Sequence, residues 1–151
     1  GGSKAPMVYT KDYDFVIGQA VTLSRGKDVT LIATGPMVYE SIVAVDLLRE
    51  SGIDAGLINM HTIKPLDESI IKVASEESRL LVTVEEHSIV GGLGSAVAET
   101  LAGFNGRSPL LSLGLPDHYE YSGEYRDILE KSGLVSKEIA NSVLRRLAID
   151  V

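Results

Sequence analysis

Residues 80–102 read Leu80-Leu81-Val82-Thr83-Val84-Glu85-Glu86-His87-Ser88-Ile89-Val90-Gly91-Gly92-Leu93-Gly94-Ser95-Ala96-Val97-Ala98-Glu99-Thr100-Leu101-Ala102. Leu80–Val84 is a nearly unbroken apolar run of strand length, the pattern of a strand covered on both faces. Gly91, Gly92 and Gly94 then open a segment in which Ala96, Val97, Leu101 and Ala102 lie close to helical spacing. A buried strand running into a helix is one half of a βαβ unit.

The pattern repeats on both sides. Upstream, Val29–Thr34 is a second buried strand, stopped by Gly35-Pro36. Pro36 suits the first turn of a helix, and Val38, Ile42, Val45, Leu47 and Leu48 continue it as far as Ser51-Gly52. Asp54–Met60 is the next strand. Asp67 is a plausible N-cap for a helix carrying Ile70, Ile71, Val73 and Ala74. Downstream, Pro109–Leu115 is the last strand, and helices are expected near 124–131 and 136–148. Alternating strands and helices imply a mostly parallel sheet with helices on both faces, an α/β domain. A short first strand, Ala20–Leu23, precedes the turn cluster Ser24–Asp28. That turn allows an antiparallel hairpin or a place elsewhere on the edge. Residues 1–18 read as an arm or linker, with a flexible scar at Gly1-Gly2-Ser3, and 19–151 as one domain.

Composition narrows the chemistry. The chain has 151 residues and no cysteine, which removes thiolate metal sites and cysteine nucleophiles and fits a reducing compartment. A net charge of −7 argues against nucleic-acid binding. No apolar run approaches a membrane span and no signal-peptide pattern opens the chain, so a cytoplasmic location is expected. His61, His87 and His118 are too scattered for a metal-ligand motif. No Ser–His–Asp arrangement, P-loop or HExxH occurs.

The candidate site lies where the 80–84 strand meets its helix, the edge at which open α/β sheets bind ligands. The glycines do not have G-x-G-x-x-G spacing, so a tight turn with close helix–sheet or subunit packing is the expected reading. Glu85 and Glu86 leave the strand on opposite sides, one to cap or pair locally and the other to face solvent or a partner. His87 is an expected interface contact. Should the sheet reverse its winding beside Val29–Thr34, then Thr34 and Gly35 face the Glu86-His87 loop across a crevice. The interface or crevice set is thus Thr34, Gly35, Glu86, His87, Gly91, Gly92 and Gly94. Asp117–Gly123, with two tyrosines, suits a surface loop at an interface.

Three ordered stretches, Gly26–Gly35, Ile58–Asp67 and Val84–His87 with Gly91–Glu99, resemble the C-terminal domain of transketolase. They also resemble that of 1-deoxy-xylulose-5-phosphate synthase and, more loosely, 2-oxo acid dehydrogenase beta subunits. The tail Gly123–Leu134 fits too, and the likeness covers about residues 5–148. It implies a three-layer α/β/α fold whose five-stranded mixed sheet has order 1-3-2-4-5, strand 1 antiparallel. It also implies that thiamine diphosphate and a divalent metal (Mg) lie between two other domains, the N-terminal and the pyrimidine-binding one. No catalytic residue, cofactor contact or metal ligand then falls on this chain. The implied role is structural: partners are those domains and a homodimer mate, with no nucleic acid and no membrane. Lys4–Tyr9 resembles the linker of transketolases encoded as two halves, and the implied parent reaction is ketol transfer between sugar phosphates in the pentose phosphate pathway. The alternatives are the same domain of 1-deoxy-xylulose-5-phosphate synthase, or a stand-alone small-anion-binding module using the Gly35/Gly91–Gly94 crevice.

Overall fold

The computed structural model describes residues 19–61, 63–88, 92–105, 108–116 and 124–149. The strands are β1 Val21–Ser24, β2 Val29–Ala33, β3 Ala55–Asn59, β4 Leu80–Ser88 and β5 Leu110–Leu115. The helices are α1 Met37–Glu50, α2 Glu68–Glu77, α3 Leu93–Ala102, α4 Tyr125–Lys131 and α5 Ser136–Ile149. The sheet order is β1-β3-β2-β4-β5, with β1 antiparallel to β3 and the other pairs parallel. The five-stranded mixed sheet expected from the resemblance is therefore the one observed.

Side-chain alternation along the strands divides the interior in two. Val29, Leu31 and Ala33 of β2 meet Leu80, Val82 and Val84 of β4 on one face, covered by α1 and α5. Ile32, Ile58 and Leu81 point the other way, into a smaller core closed by α2 and α3. All five residues of β2 are buried, which is why its sequence reads as a continuous apolar run rather than an alternating one.

Two local details differ from the pattern reading. β4 runs on to Ser88, so Glu85, Glu86 and His87 belong to the strand rather than to a loop after it. The cause is β5, which pairs with β4 at Ser88↔Leu115 after a register shift beyond Val84. Residues 63–66 form a turn with a cis Lys64–Pro65 bond, where an extended dipeptide is the simpler reading of Lys64-Pro65. The turn delivers Asp67, whose Oδ1 accepts from Ile70 N at 3.3 Å and caps α2 as expected.

The reversal of winding lies between β2 and β4. The chain leaves β2 toward β3 on one side and returns through α2 to β4 on the other. Among the described residues, no helix is long and apolar enough to cross a membrane. The arm 1–18 and the loop Asp117–Gly123 lie outside the described residues.

Candidate functional site

The two adjacent carboxylates at the end of β4 part as strand geometry requires. Glu85 turns toward α3 and is 1% exposed. Its Oε1 accepts the main-chain N–H of Leu93 at 2.9 Å and its Oε2 that of Gly94 at 2.8 Å. These are orphan donors of the first turn of α3, whose N-cap Gly92 supplies no side chain. A carboxylate there gains both charge-assisted hydrogen bonds and the favourable end of the helix dipole. The chain thus fills with its own anion the position where an α/β protein often holds a phosphate.

Gly94 shows why this helix starts with glycine. A Cβ at that position would stand 2.8 Å from Ser112 Oγ and 3.1 Å from Ser112 Cβ. Only a bare backbone lets α3 press onto β4 and β5 closely enough for Glu85 to reach it.

Glu86 turns to the opposite face, where its Oε2 accepts the hydroxyl of Tyr125 at the start of α4. It also lines a cleft of about 310 Å³ together with Thr34, Gly35, Asn59, Met60, His61 and Ile63. Of the sequence-derived set, then, Thr34, Gly35 and Glu86 share one cleft. Gly92 lines a separate cleft of about 450 Å³, between the Ile63–Leu66 turn and α3. Gly94 is buried in helix–sheet packing and lines neither. Gly91 and the side chain of His87 lie outside the described residues.

Two buried polar positions escape a sequence reading. Asn59 ends β3 at 1% exposure, and its Oδ1 has no hydrogen-bond partner among the described residues. The only signal for it is a polar residue closing an otherwise apolar strand. Glu40, 8% exposed, sits in α1 and accepts the main-chain N–H and the hydroxyl of Ser136, both at 3.0 Å. Among the described residues, no group of three or more His, Asp or Glu side chains is arranged to hold a metal ion.

Comparison with known proteins gives these features a context. Residues 18–139 match the family model described as the transketolase C-terminal domain. The chain is 42% identical over 133 residues to a putative transketolase C-terminal section of Methanocaldococcus jannaschii, covering 88% of this chain and 41% of that protein. It is 41% identical over 145 residues to one of the subunits of an apulose-4-phosphate transketolase of Phocaeicola vulgatus, covering 95% and 46%. It is 38% identical over 132 residues to 1-deoxy-D-xylulose-5-phosphate synthase of Caldanaerobacter subterraneus, covering 87% and 21%. The chain therefore spans less than half the length of these relatives. Among solved structures, a chain of a split-gene transketolase, described as an inactive beta4 tetramer, superposes with a TM-score of 0.85 at 34% identity, covering 93% of this chain and 46% of that one.

Proposed function

The chain belongs to the family of transketolase C-terminal domains, and from that membership we propose that it is the non-catalytic third domain of a split transketolase. In this reading residues 1–18 lead in from an upstream domain. Thiamine diphosphate and its Mg²⁺ sit between two companion domains, and the parent reaction is ketol transfer between sugar phosphates. This chain completes the enzyme protomer in the cytoplasm and contributes to the homodimer.

One observation carries the non-catalytic reading. At the carboxyl edge of the sheet, the α3 N-terminus is already occupied by the buried Glu85 carboxylate. A diphosphate brought there would lose those amides and meet a like charge. The Glu85 carboxylate at this helix end supports a chain that leaves cofactor binding to its companion domains. The names of the relatives support a split enzyme: a C-terminal section, one transketolase subunit among others, and a split-gene chain. The description of the split-gene relative as an inactive tetramer supports a chain that lacks activity alone and self-associates.

A second reading has its own support. Identity to the 1-deoxy-D-xylulose-5-phosphate synthase of Thermomicrobium roseum is 42%, equal to that with the archaeal section. Titration calorimetry and reconstitution test both. The chain alone is expected to give no saturable heat with thiamine diphosphate and Mg²⁺. Mixed with the complementary section, it is expected to restore ketol transfer. Restored synthesis of 1-deoxyxylulose 5-phosphate instead selects the second reading. Tight binding of the cofactor by the chain alone overturns both.

A further inference from the structure

No further inference is drawn: the strongest candidate, the cleft of about 560 Å³ at the amino edge of the sheet lined by Arg25, Lys27, Asp28, Asp54, Glu77 and Arg79, carries nothing, because Arg25 already pairs with Glu77 and Arg79 with Asp28, and nothing among the described residues shows what it would bind.

Discussion

Glu40 and Ser136 stand 96 residues apart in sequence, yet one carboxylate oxygen of Glu40 accepts both the main-chain N–H and the hydroxyl of Ser136 at 3.0 Å. A side chain in the first turn of α1 thereby caps the start of α5. Glu40→Ala leaves a half-buried Ser136 without either bond and is expected to cost about 2 kcal/mol. Ser136→Ala keeps the main-chain bond and is expected to cost about 1 kcal/mol or less. Arg126, 59% exposed and 3.4 Å from Glu40, is expected to matter by no more than about 0.5 kcal/mol. Urea midpoints at constant m rank the three, and a larger loss for Arg126→Ala than for Glu40→Ala contradicts the assignment.

Glu85→Ala removes the internal anion from α3 and strands the amides of Leu93 and Gly94. A loss of about 3 kcal/mol is expected. The vacated helix end then becomes an anion site, so phosphate should raise the melting temperature of the variant in a saturable way while leaving the parent chain unchanged. A variant indifferent to phosphate would show that the helix end does not act as described.

Gly94→Ala places a methyl group 2.8 Å from Ser112 Oγ. A cost of about 1–2 kcal/mol is expected, partly recovered in the double variant with Ser112→Ala, since that change removes the nearest atom. Strict additivity of the two substitutions in a thermal unfolding cycle would place the strain elsewhere.

Asp67 serves two segments. Its Oδ1 caps α2 through Ile70 N, and its Oδ2 accepts from Ala20 N at 2.9 Å. Asp67→Ala is expected to cost about 1–2 kcal/mol and to speed amide exchange at Ala20 and Ile70 together. Exchange that quickens at only one of the two amides separates the roles.

Much of the fold is legible in the sequence. Apolar runs at 29–34, 54–60 and 80–84, each followed by helical spacing, suffice for an α/β sheet, because a strand covered on both faces has no polar side to alternate with. Period-two geometry alone separates Glu85 from Glu86. Strand order is different: nothing local says that β4 lies beside β2 rather than β3, and resemblance supplied it. The extension of β4 to Ser88 depends on pairing with β5, and the Glu40–Ser136 contact on how α1 meets α5. The Asn59 oxygen, unpaired among the described residues, is the least readable of all, since its setting comes from what surrounds it in space and not from its neighbours in the chain.

The position of β2 has a consequence for biosynthesis. Val29 ends up between Ala55 and Leu80, so one side of β2 is closed early and the other only when β4 arrives. On the ribosome there is an interval in which a strand buried along its whole length in the finished sheet has a bare edge, open to pairing with any other extended chain. A chain that stops before β4 leaves that edge of β2 unpaired, the kind of surface that chaperones exist to cover.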